Sequence, residues 1–135
     1  MTTEENKAIL RDMFKAINEG QVEQAIATTH PECTLNGQPF GREGDRIRTQ
    51  TFLTAFPDQV WTLEQMIAEG EWVSATYTFT GTFLEKMGEF LPTGKQVCFK
   101  GVTNYHIQDG QFVEAWEYYD RLALYQQMGL IPATA

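Results

Sequence analysis

Apolar side chains recur at Leu10, Met13, Phe14 and Ile17, the i, i+3, i+4, i+7 spacing of one helix face. Thr2 and Glu5 stand at capping-box spacing ahead of that stripe and Gly20 follows it, so the pattern predicts a first helix ending near residue 20. Val22, Ala25 and Ile26 predict a shorter helix running to His30-Pro31. A third is expected from about Glu43 to Phe56, stopped by Pro57 and weakened near its start by Gly44. From Val60 the period shortens to two. VWTLEQMIA and WVSATYTFTGTF, separated by Glu69-Gly70, read as antiparallel strands rich in β-branched and aromatic residues. A loop from about Leu84 to Gly94 leads to QVCFKGVTNYHI, Asp109-Gly110 turns the chain, and QFVEAWEYY returns. DRLALYQQMG closes as a short helix ended by Gly129, with Pro132 beyond it. Helices first and strands afterwards, with no repeat, low-complexity tract or Ser/Gly linker between, predict a single α+β domain over residues 1–135.

The register of the last hairpin decides what faces the core. A three-residue loop with a left-handed Gly110 pairs Ile107 with Gln111 and sets Gly101 opposite Glu117. Odd positions then share one face: Val97, Phe99, Gly101, Thr103, Tyr105 and Ile107 on one strand, Val113, Ala115, Glu117 and Tyr119 on the other. A two-residue turn instead joins odd positions of one strand to even positions of the other and carries Glu114 and Asp120 inward. The apolar make-up of the all-odd face favours the first. On it Glu117 is the lone acid, and an acid with no compensating partner in an apolar concavity holds its proton to higher pH, which makes it a candidate base for a carbon-bound proton. The alternative is a carboxylate that reaches solvent or is satisfied by a tyrosine or a backbone group. Asp120, immediately before RLALYQQM, suits a helix N-cap. The opposite face, with Lys100, Val102, Asn104, His106, Glu114, Trp116 and Tyr118, is mixed, and Trp116 is large enough to predict a homodimer through the outer sheet face.

Charge narrows the partners. The net charge of −8 gives no basic face for phosphate, so neither nucleic acid nor an anionic membrane surface is expected. MTTEENKAIL is polar and acidic, and no run approaches the roughly 18 apolar residues that a membrane helix needs, so a cytoplasmic protein is expected. Cys33 and Cys98 allow one bridge at most and are read as two reduced, buried thiols. His30 and His106 lack further ligands at metal spacing, so no metal and no cofactor are expected. No serine sits in a nucleophile elbow and there is no dinucleotide fingerprint.

Residues 92–132, PTGKQVCFKGVTNYHIQDGQFVEAWEYYDRLALYQQMGLIP, resemble the closing half of the SnoaL-like polyketide cyclase (ester cyclase) family, within the nuclear transport factor 2-like superfamily. PTGK, F-x-G, DG, E-x-W, D-x-L and QQ-x-G carry the resemblance in combination. AINEG, HPEC, AFPD and EWVSATYTFTGT extend it over nearly the whole chain. The resemblance implies a cone-shaped, strongly curved antiparallel sheet wrapped around the N-terminal helices, with a pocket between them. It also implies cofactor-independent acid/base closure of a polyketide methyl ester of the intramolecular aldol type. The family's acid falls at Glu117, with Asp120 as the other candidate, and polar pocket positions fall at Gly101, Thr103 and near Asn36. The sequence departs from the family where Phe83 replaces a histidine of the sheet. The expected ligand is a small, hydrophobic, carbonyl-containing molecule, with Thr103, Tyr105 or Tyr77 hydrogen-bonding its oxygen and Tyr119 on the same wall. A non-catalytic small-molecule carrier and a dimerising scaffold with an incidental pocket are the other readings, since one fold hosts many functions.

Overall fold

The computed structural model describes residues 1–132. Helix α1 spans Thr3–Asn18 and α2 Val22–Ile26; β1 (Thr29–Leu35) and β2 (Gln38–Pro39) follow, then α3 (Gly41–Ala55). Strands β3 (Val60–Glu69), β4 (Trp72–Thr82), β5 (Gln96–Gln108) and β6 (Gln111–Tyr119) precede the short α4 (Arg121–Gln127). The strands form one curved, open sheet in the order β2-β1-β6-β5-β4-β3. Its pairs are antiparallel except β1 with β6, which run parallel.

The capping box forms as its spacing predicts: the Glu5 backbone N–H donates to Thr2 Oγ1 at 3.1 Å. The stripe of α1 turns inward, with Leu10 and Phe14 buried, and the helix packs across β3 and β4. The second helix is shorter than expected. It ends at Ile26, and His30-Pro31 lies inside β1 rather than at a helix stop. The missing signal was Asn36-Gly37, both at positive φ (51° and 79°), the two-residue turn that folds β2 back on β1. Cys33 is buried and Cys98 exposed, both as free thiols, so only one of the pair is interior as expected.

The last hairpin corrects the register. Asp109 and Gly110 both have positive φ (50° and 78°), Gln108 pairs with Gln111 and Ile107 with Phe112, so the turn has two residues, not three. Taken alone, that turn would bury Glu114 and Asp120. A β-bulge immediately beyond it shifts the ladder by one, so His106 pairs with Glu114 and Thr103 with Glu117. The extra residue restores odd-to-odd pairing, and Glu117 faces the concave side for a reason the turn alone does not supply.

Candidate functional site

Phe14, Tyr77, Phe79, Phe99 and their neighbours form the aromatic core under the sheet's concave side. Between this core and α3 lies a cavity of about 110 Å³. Helix α3 presents Asp45, Arg48, Thr49 and Phe52 to it, one face at i, i+3, i+4, i+7. The sheet supplies Tyr77, Thr103, Tyr105, Glu117 and Tyr119, and β1 adds Thr29, Cys33 and Leu35. Five of the seven site residues read from the sequence therefore meet here.

Glu117 is not alone. Arg48 Nη1 donates to its Oε2 at 2.7 Å, and the two side chains retain 38% and 15% exposure. The sequence reading allowed for a tyrosine or a backbone partner and overlooked a guanidinium from another layer. Arg48 is itself positioned by packing. A side chain at Gly44 would meet the Phe40 ring at 2.7 Å, so glycine lets that ring settle on the helix, and the Arg48 guanidinium lies 5.2 Å from the ring centre. Burial works against the Arg48 charge, while Glu117 and Asp45 together outweigh it, leaving the pKa raised. Arg48 is thus a permanent cation.

The hydroxyls cluster beside this pair. Tyr77 Oη and Thr103 Oγ1 are 3.1 Å apart, one donating to the other. Burial first, and the Glu117 charge second, push Tyr77 up to about 12. Tyr105 is raised further by burial, then by Tyr77 and Glu117. Burial, helped by Asp45, pushes the Cys33 thiol up to about 11. All three stay protonated at neutral pH, so none of them serves as a base there. Gly101 contributes no polar group, because the Tyr77 ring lies 2.8 Å from where its Cβ would be.

Two candidates lie elsewhere. Asp120 is exposed and caps α4, its Oδ1 accepting from the Ala123 N–H at 2.9 Å, and it does not line the cavity. Asn36 is also outside the lining. Its Oδ1 accepts from the Glu117 backbone N–H at 2.7 Å, so it fixes the strand that carries the acid rather than facing a ligand. Among the described residues no group of three or more His, Cys, Asp and Glu is set to hold a metal ion, and no helix is long and apolar enough to cross a membrane.

A curved open sheet around helices, with an acid, a guanidinium and three phenols on a concave aromatic wall, defines a cavity-bearing protein of the nuclear transport factor 2-like class. The chain belongs to the SnoaL-like polyketide cyclase family, whose model matches residues 7–128. It is similar to the proposed polyketide cyclase of Acidithiobacillus ferrooxidans at 30% identity, with TM-score 0.78 over 92% of this chain and 94% of that one. AclR of Streptomyces galilaeus, a proposed hydroxylase, shares the fold at TM-score 0.88 and 24% identity, over 99% of this chain and 87% of that one. TsrD of Streptomyces laurentii does so at TM-score 0.87 and 23% identity, over 97% and 99%. No curated protein matches the chain.

Proposed function

We propose that the protein is a cyclase-like acid/base enzyme that moves a proton next to a carbonyl, with Glu117 as base. The observation that carries this reading is the position of Glu117: half-buried on the cavity wall and held at 2.7 Å by Arg48. The bond from Arg48 fixes one carboxylate oxygen of Glu117 on the cavity wall. The proton passes from the substrate carbon to Glu117 and the electron pair moves onto the carbonyl oxygen, where Arg48 or the Tyr77–Thr103 pair can donate. The enolate carbon then attacks a second carbonyl of the same molecule, closing a ring; the π electrons of that carbonyl move to its oxygen, which takes the proton back from Glu117 and restores the base. The net charge of the site is unchanged, since the carboxylate loses its charge as the enolate gains one.

The test is exchange of α-protons for deuterium in a panel of aromatic β-keto methyl esters, followed by NMR above the buffer rate. Glu117→Gln should lower the enzymatic rate by about 10²- to 10⁴-fold, because the amide keeps the shape and loses the basicity. Asp120→Asn should leave it unchanged. Equal exchange in wild type and Glu117→Gln overturns the reading, and tight ligand binding without exchange favours the carrier.

We also infer a homodimer through the convex sheet face. Ile67, Trp72 and Tyr118 share that face and are 61%, 38% and 57% exposed, apolar side chains that a second copy could cover. Light scattering should give twice the chain mass for wild type and a single mass for Tyr118→Glu; a monomeric wild type counts against it.

A further inference from the structure

Glu117 on β6 and Trp61 on β3 stand at the two ends of the stretch β6-β5-β4-β3, and both line the cavity. Arg48, beside Glu117, keeps 38% exposure, whereas Tyr77, Phe99 and Thr103 between the two ends are buried. Trp61 is held in place from several sides. Its ring centre lies 6.0, 5.5, 4.7 and 6.0 Å from those of Phe52, Tyr77, Phe79 and Phe99. Its indole N–H donates to Gln59 Oε1 at 3.2 Å. Asn18, the last residue of α1, ties down the backbone as well: its Nδ2 donates to the Trp61 carbonyl and its Oδ1 accepts from the Trp61 N–H, each at 2.8 Å. A side chain fixed by its neighbours' rings, its own N–H and both backbone groups does not swing aside to admit a larger ligand, because interiors packed at crystal density leave it nowhere to go.

The cavity volume, about 110 Å³, is the second observation. An apolar cavity of about 150 Å³ takes a single benzene ring, and sites for drug-sized ligands run from about 300 Å³ upward. We propose that Trp61 limits the substrate to one ring: a compound with one aromatic ring, or an uncyclised chain of that bulk, fits the enclosed space, and a fused polycycle does not. The inference rests on the cavity being the substrate site of the proposed reaction and adds which members of that class it takes. A second fused ring in line with the first would have to enter the space that Trp61 fills. Turned the other way, it lies in water and adds nothing to binding. The limit has a chemical consequence. Closure beside Glu117 makes the first or second ring of a product, so the reaction that supplies the substrate must hand over a short, largely uncyclised chain, and further rings are closed after release.

Methyl acetoacetate, methyl benzoylacetate and methyl 2-naphthoylacetate carry no ring, one ring and two fused rings on the same β-keto ester. Their dissociation constants can be read by NMR titration, with the Thr103 and Ile17 methyl groups as cavity reporters. The benzoyl compound should bind about tenfold or more tightly than methyl acetoacetate, because its ring is buried. The naphthoyl compound should fall back by about tenfold towards the ringless ester, whereas hydrophobicity alone would make it the tightest of the three. Trp61→Leu should strengthen naphthoyl binding by about tenfold and weaken benzoyl binding, since the space it opens suits the larger ring and leaves a void around the smaller. If that variant does not fold, the wild-type order of the three ligands decides. A naphthoyl compound that binds wild type as tightly as the benzoyl compound, or an order that Trp61→Leu leaves unchanged, overturns the limit while the cavity remains the site. No response from either reporter to any of the three overturns the limit and the choice of site together. Binding is read without turnover, so neither outcome depends on Glu117 being the base.

Discussion

The two faces of the β5–β6 hairpin each hold an acid against a cation, and the cations differ in kind. On the concave face Glu117 meets Arg48 at 2.7 Å, brought across from α3. On the convex face Glu114 meets His106 Nδ1 at 3.1 Å from the neighbouring strand, and Glu71 meets the other ring nitrogen at 2.9 Å. The first pair joins two layers around a cavity and its cation never titrates. The second lies along the surface, stacked on Trp72 with ring centres 4.7 Å apart, and exists only while the imidazole is charged. One pair can organise chemistry at any working pH; the other can only adjust stability.

The largest expected effect comes from breaking the inner pair. Arg48→Met leaves Glu117 without its partner, which costs about 3–5 kcal/mol where both groups are fully buried. Arg48 keeps 38% exposure, so a loss of about 2 kcal/mol in urea unfolding is the discounted expectation. Arg48→Met combined with Glu117→Gln should recover most of it, because the orphaned charge is gone. Glu114→Gln outside should cost under about 0.5 kcal/mol. Equal losses on the two faces would erase the distinction.

Neighbouring positions sharpen the same contrast. Gly101→Ala drives a methyl group into the Tyr77 ring, which sits 2.8 Å from the Cβ position, and should cost about 1–3 kcal/mol while disturbing the Tyr77–Thr103 bond. Lys100→Ala, one residue earlier on the exposed side, should stay within about 0.5 kcal/mol. Both are read from the same unfolding curves.

These contrasts also mark what the chain discloses before it folds. The helices, the four long strands and the capping roles of Thr2 and Asp120 are local, so periodicity and punctuation reveal them. Glu117 was legible because it breaks an apolar alternation. Arg48 and Asp45 were not, because their role depends on α3 packing against β1, which brings Arg48 within reach of Glu117 on β6, residues distant in sequence. A clue was present: Ile47 points outward at 61% exposure while Asp45, Arg48 and Thr49 take the inner face, the reverse of an ordinary amphipathic helix. The face of Glu117 was inferred correctly from the wrong turn, since a bulge carries no signature in the residues that flank it. The parallel pairing of β1 with β6 follows from chain path, which no local pattern encodes.

The smallest expected effect is the pH response of the outer pair. Its hydrogen bond to Glu71 first, and that to Glu114 next, raise the His106 pKa above its ordinary value, with slight burial opposing them. A raised folded-state pKa means the charged imidazole is favoured by folding. The stabilisation is complete below the unfolded value, roughly 6.5, and is lost as pH climbs through the raised folded value. Thermal unfolding of wild type between about pH 5.5 and 8.5 should therefore decline relative to His106→Gln as pH rises, by a small amount that high salt reduces, since Glu71 lies open to water. Arg48 and Glu117 should contribute nothing to that difference, because the Arg48 charge persists throughout the window. A wild-type curve parallel to that of His106→Gln, or one converging in the opposite direction, would mean that the outer cation is as fixed as the inner one.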